Sequence, residues 1–506
     1  MSLGRRALVF LTVVAAAGVC VSGCARPTPP QAPIRLRIGI SAPPKGTPGT
    51  GATTVARLLT GDPWLTNRPD GRQTERVATG WSWSESGTTL RLKLRKDVYF
   101  HGGTQLTPQI AADVLRVTAK NPMRNGLSFA SVVGVEPVGT DAVEIKLSEP
   151  NFFLVSDLSG VLVTEPAHSE NGTGPFRLVS QADQGASLDA FERYYRGRPG
   201  VSGIDITNYP TQRKAWTALM RGEIDMLHEV SRDAAEFVES ETTVRTYSFT
   251  RPYYIPLVFN LRHPILQRLD VRKAINQALD KAALVRDGMN KKGLPADGPI
   301  FPQHWAYTPP ANPFVFDPAA ARERLENAGL KVHTQRDGAS TARFSFNCLM
   351  YGDDPRFERL AVLVQKQLAD VGVDMRLEPV PEEALGRRLG SGEFDAFLFE
   401  MAGRSLGRVY EFWRSHEGGL INSGYRSADG VLDRIKHARS DDEVKAAVAE
   451  LERILHDDPP AAFLAWQETS RAVSTKFDVS PEENRDILAN VWQWRPVAAP
   501  GKQASR

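Results

Sequence analysis

A serine set between two glycines, with an acid and a histidine downstream, is the constellation in this chain best suited to breaking a covalent bond. Gly403-Arg404-Ser405-Leu406-Gly407 fits the G-x-S-x-G elbow, where a sharp strand-to-helix turn exposes the serine hydroxyl. The apolar run 396–399 precedes it, and Asp433 with His437 or His456 follows in an order that a catalytic triad can use. The chemistry would be ester hydrolysis through an acyl group on Ser405. The oxyanion-hole segment that such chemistry needs has no good counterpart upstream. The nearest match, His101-Gly102-Gly103-Thr104, reads as a turn. With 41 glycines in the chain, a five-residue match of this kind arises readily by chance, so a serine esterase is the secondary expectation and a non-enzyme the primary one. The nine histidines are scattered. They form no His-Glu-x-x-His and no Cys/His cluster, which argues against a catalytic metal or another cofactor.

The body that must position these residues is large. A chain of 506 residues exceeds one typical domain, so two or three lobes are expected. Its 41% hydrophobic and 24% charged residues are ordinary for a globular protein, and 62 basic against 59 acidic side chains give no general nucleic-acid signature. The N-terminus reads as an export signal: Arg5 and Arg6 precede the mostly apolar run 7–21, too short for a spanning helix. Val21-Ser22-Gly23-Cys24 resembles a bacterial lipobox, which implies cleavage before Cys24 and a lipid on its thiol. Cys20 then leaves with the signal, and Cys348 remains as the single thiol of the body, in an alternating strand-like run where a buried core role is expected. Prolines 27, 29, 30 and 33 make residues 25–34 an extended tether.

Past the tether, helical and strand periodicities alternate, which predicts a mixed α/β fold. Residues 34–40, 89–94 and 143–147 alternate as half-buried strands do. Thr107-Pro108 opens a helix with Ile110, Val114 and Val117 at helical spacing. Asp270 is expected to cap a second helix, carrying Val271, Ile275, Ala278, Leu279 and Ala282 and ending at Gly288. A small pattern also recurs. Gly222-Glu223-Ile224-Asp225 and Gly392-Glu393-Phe394-Asp395 each follow a helical run, so each glycine can end a helix in a left-handed conformation before a strand.

Several segments taken in order resemble the family 5 extracellular solute-binding proteins, the peptide and nickel class that serves ABC importers. They begin with Ala78-Thr79-Gly80-Trp81-Ser82-Trp83, Phe100-His101-Gly102-Gly103-Thr104 and Gly172-Thr173-Gly174-Pro175-Phe176. They continue through Tyr194-Tyr195-Arg196-Gly197, Leu219-Met220-Arg221-Gly222, Val258-Phe259-Asn260, Asp270-Val271-Arg272-Lys273-Ala274 and Gly424-Tyr425. The resemblance implies a two-lobed, hinged α/β fold of the periplasmic-binding-protein type with an extra small N-terminal subdomain. Carried onto this chain, it divides the sequence into signal 1–24, tether 25–34, first lobe 35–60 and 170–256, extra subdomain 61–169, second lobe 257–479, and a first-lobe return with tail at 480–506. The hinge would be crossed near residues 254–260 and again near 479.

The implied function is capture of a peptide or another small polar solute by lobe closure, and delivery to ABC permease and ATPase subunits. The implied location is extracytoplasmic, membrane-anchored through lipid on Cys24, as a monomer with no nucleic-acid partner. A relative that hands its solute to a receptor is the other binding-protein alternative. Peptide binders of the family follow the strand 394–400 with an aspartate-bearing loop that pairs with a peptide amine. Here that stretch carries Arg404 and Arg408, with Glu400 and Glu411 at its ends. Guanidinium groups at this point favour a ligand carrying carboxylate or phosphate, unless they pair with those two glutamates. Tyr253, Tyr254, Tyr410 and Trp413 flank the implied hinge and this loop, so they are the candidate aromatic contacts, with Trp305 and Trp64 as lesser ones.

Overall fold

The computed structural model describes residues 34–41, 51–230, 232–334, 340–352, 355–415 and 420–497. Cys24 and the residues before Ile34, where the export segment and tether were expected, lie outside them.

The alternating run after the tether forms the strand Arg35–Ser41, with Leu36 and Ile38 fully buried. It pairs in parallel with Gly203–Tyr209 and Met226–Leu227, while Gly185–Ala190 and Phe176–Ala182 extend the sheet antiparallel. Helix Ala52–Thr60 lays Val55, Ala56 and Leu59 onto this sheet, closing a core with Leu188, Ile204 and Trp494. A second α/β unit holds Phe344–Tyr351 parallel to both Val373–Val380 and Ala396–Leu398. Cys348 lies in its middle strand, fully buried, and burial alone pushes its thiol far up, so it stays a protonated core residue.

Two long antiparallel strands, Val244–Phe259 and Ala461–Ser474, join the units into one continuous sheet. Their far ends pair with each other beside Met226–Leu227 on the first-lobe side, and Leu257, Val258 and Phe259 pair with Ala396–Leu398 on the second. The ladder between them is irregular twice, between Thr250 and Tyr254 and between Ile255 and Pro256. Pro252 and Pro256 fall at these breaks, because proline has no N–H to give a ladder. This is the two-lobed fold expected of a hinged binding protein.

The extra subdomain is a four-stranded antiparallel sheet ordered Ala78–Trp83, Thr89–Leu94, Ala142–Leu147, Val132–Val138. Every fully buried member of its core lies between Trp64 and Val163. Helix Pro108–Ala119 covers the sheet, and Thr107 caps it by accepting from the Ile110 amide at 3.3 Å. Its buried stripe is Ala111, Val114, Leu115 and Thr118, whereas the expected Val117 is 54% exposed. The second expected helix also differs. It spans Leu269–Gln277 with Arg268 at the N-cap and Asp270 in the first turn, and the chain re-caps at Asp280 for a short continuation.

The small repeat has a structural meaning. Gly222 and Gly392 both end helices at positive φ, 69° and 78°. The aspartate three residues on then accepts a neighbouring-strand amide in each lobe: Asp225 from Arg37 N at 3.1 Å, Asp395 from Asn347 N at 2.9 Å. Each lobe thus uses the same helix-to-strand splice to fix its sheet register.

Candidate functional site between the lobes

The registers aim one strand from each lobe at the same break. Met226 and Leu227 lie opposite Val473 and Ala472, so the next residue, His228, advances along the return strand toward Gln467. Ala396 and Leu398 lie opposite Phe259 and Leu257, and Met401 and Ala402 opposite Tyr254 and Tyr253, so that chain advances to the break from the other side. Ligands of open α/β sheets collect beyond the carboxyl ends of strands. His228–Glu229 in one lobe and residues 399–405 in the other are therefore the candidate walls.

A half-buried polar cluster occupies the break. Gln467 donates its side-chain amide to Glu400 at 2.8 Å, and Arg251 donates to Gln467 at 3.3 Å while standing 3.8 Å from Glu400. The Arg251 guanidinium also lies over the Tyr253 ring, 4.6 Å from its centre. On the first-lobe side Arg471 forks onto Asp486 with two 2.6 Å bonds and donates to the His228 carbonyl. Burial, helped by Arg471, lowers the His228 imidazole to about 3, so it is neutral at physiological pH. Asn484 accepts from the Thr250 amide at 2.7 Å and donates to Gln303 of the second lobe. Arg251, Gln467, Arg471 and Asn484 were not singled out by sequence reasoning. Pro252 within an otherwise strand-like run was the signal that could have found the break.

The sequence candidates separate into three groups. Arg404 is exposed on the wall, and Tyr253 is half-buried beside Arg251. Arg408 points elsewhere: it pairs with Glu411, which is 5% exposed and also accepts the Leu127 amide of the subdomain at 3.3 Å. Its charge is therefore already matched. Tyr254 and Trp413 are 0% and 3% exposed, joined by a 2.9 Å bond from the indole to the phenol, and packed with Phe463. They form core beneath the site rather than its surface. Tyr410 donates to Asp433 at 3.0 Å and packs on Phe153 of the subdomain. Trp305 lies under the Arg72 guanidinium at the same boundary, and Trp64 is buried in the subdomain core.

The serine elbow dissolves in the same way. Ser405 is the N-cap of helix Leu406–Trp413, accepting from the Arg408 amide at 3.3 Å. Gly403 is needed because a Cβ there would come within 2.4 Å of the Trp466 ring, and a Cβ at Gly407 would press on Phe153 at 3.3 Å. His437 pairs with Glu149, Asp433 with Arg414 and Tyr410, and His456 with Asp457 beside the Phe314 ring, so each triad candidate is engaged elsewhere. Among the described residues no group of three or more His, Cys, Asp or Glu side chains could hold a metal ion.

Two lobes joined by a broken double strand, with polar walls facing the break, are the architecture of a hinged binding protein. The family model for bacterial extracellular solute-binding proteins, family 5 (middle), matches residues 73–417, and the chain belongs to that family. The oligopeptide-binding protein AppA of Bacillus subtilis (strain 168) is 24% identical over 451 residues, 81% of each chain. Among solved structures, AppA from Bacillus subtilis with a nonapeptide superposes with a TM-score of 0.74 and 20% identity, covering 92% of this chain and all of that one. NikA from Brucella suis with Fe(III)-EDTA gives 0.80 and 20%, covering 91% and 100%. The protein is thus a non-catalytic, extracytoplasmic solute-binding protein serving an ABC importer.

Proposed function

We propose that this protein captures a peptide bearing an accessible carboxylate by closing its lobes on residues 251–253, and that Cys24 carries the lipid that keeps it at the membrane. The observation that carries the ligand class is the state of the wall charges. Glu400 is engaged by Gln467 and faces Arg251, and Arg408 is matched by Glu411, whereas Arg404 stands exposed beyond the end of the second-lobe strand. A guanidinium so placed grips a carboxylate with paired bonds. AppA of Bacillus subtilis is named for oligopeptides, which agrees with a peptide ligand.

Tyr253 and Arg251 complete the wall, and Tyr254 with Trp413 holds it from beneath. The same reading keeps the first lobe at 35–60 with 170–256 and begins the second at 257, but moves the return crossing from near residue 479 into the strand Ala461–Ser474, whose pairing passes from Val258 at one end to Met226 at the other. Incubating the protein with a tryptic casein digest, washing, and identifying what unfolding releases tests the proposal. Wild type should retain a subset of peptides, and Arg404→Ala should retain about tenfold less, the weight of one charge-assisted pair. Equal retention by the variant would remove Arg404 from the site.

A further inference from the structure

The extra subdomain touches both lobes in two different ways. Toward the first lobe the contacts are backbone bonds and buried charge. His101 N donates to Gly172 O at 3.0 Å, and the His101 imidazole Nε2 bonds the Gly174 carbonyl at 3.0 Å. Asp62, 2% exposed, takes both Arg76 at 2.7 Å and the Tyr195 hydroxyl at 2.8 Å. Such a junction does not slide easily, since separating it would strip the buried Asp62 of the Tyr195 hydroxyl and the buried His101 ring of its carbonyl partner.

Toward the second lobe the contacts are mostly side chains along one face. Glu149 pairs with Lys436 at 2.6 Å and His437 at 3.2 Å, and Arg72 pairs with Asp441 at 2.7 Å. These ion pairs are part-exposed and separate into water at small cost. The same face also holds the buried Phe153 ring against Tyr410 and two backbone bonds, Phe152 N to Lys436 O at 2.8 Å and Trp305 N to Asp70 O at 2.9 Å, so parting it also exposes apolar surface. The second lobe is otherwise joined to the rest of the sheet through the two long strands. Any opening about the break that leaves the subdomain on the first lobe must therefore part this face.

We infer that Glu149–Lys436 and Arg72–Asp441 form a closure latch: positioning residues that favour the shut state without touching ligand. Contacts made only when the lobes are shut shift the open–closed equilibrium by their full worth, and apparent affinity follows the closed fraction. Arg408–Glu411 with the Leu127 amide would belong to the same face, which gives the loop after the second-lobe strand a role in closure.

Because the inference rests on lobe closure, the test reads closure directly and needs no ligand. Dyes on azide-bearing residues placed at the exposed positions 213 and 383 of the full chain report the interlobe distance by single-molecule energy transfer. Wild type should show two distance populations. Glu149→Lys and Lys436→Glu should each shift the ratio toward open by about threefold to tenfold, as an exposed pair turned repulsive does, and the double variant should restore it. Arg72→Glu with Asp441→Arg provides a second, independent pair. Two populations whose ratio ignores the single variants, or a double variant that restores nothing, would overturn the latch and leave the hinge standing. A single population in every form would overturn both.

Discussion

Ser405 caps its helix, so Ser405→Ala should lower stability by about 1 kcal/mol in denaturant titration and leave no esterase activity to lose. Measurable hydrolysis of p-nitrophenyl acetate that disappears in the variant would contradict that assignment. Asp157 belongs to the subdomain but sits at the boundary with helix Leu406–Trp413. Desolvation, opposed by the Ser128 hydrogen bonds and reinforced by Glu411 across the boundary against Arg408, pushes its carboxyl up to about 7. A carboxyl whose folded value is raised binds its proton more tightly when folded. Its contribution is therefore full below the unfolded range near about 4 and is lost as pH rises through 7. Asp157→Asn, which keeps an acceptor for Ser128, should flatten the stability profile between about pH 4 and pH 7 and gain about 1–3 kcal/mol at pH 8. A profile parallel to wild type would show that Asp157 does not titrate there.

At the scale of elements, the strands and most helix ends were legible because their signals are local. Alternation at 89–94 and the Thr107-Pro108 start need only neighbouring residues, and both appear within a residue of expectation. The Gly392 helix end was legible for the same reason. What was not legible depends on tertiary partners. Val117 has the right spacing but faces water, because the helix is rotated to put Ala111, Val114, Leu115 and Thr118 against the sheet. Arg408 resembled a ligand contact until the helix placed Glu411 one turn away, and Tyr254 resembled one until Trp466 and Phe463 covered its ring. The turn into that helix is fixed by contact with Trp466, so Gly403→Ala should cost about 1–3 kcal/mol through overpacking, measured by urea unfolding. A loss below a few tenths would mean that the indole yields freely.

For the whole molecule, the double strand is both the spine of one continuous sheet and its weakest line, because the ladder breaks where Pro252 and Pro256 stand. Motion concentrates where backbone pairing is interrupted, and the polar cluster of Arg251, Gln467 and Glu400 sits at that line. A solute bridging the two walls then gains differential affinity for the shut state. The most direct measurement is the native mass spectrum of the protein purified without refolding, before and after mild denaturation. A discrete extra mass that unfolding releases, matching peptides with a free carboxylate and depleted in Arg404→Ala, is the predicted result. An unliganded mass that gains nothing when peptide mixtures are added would contradict the account.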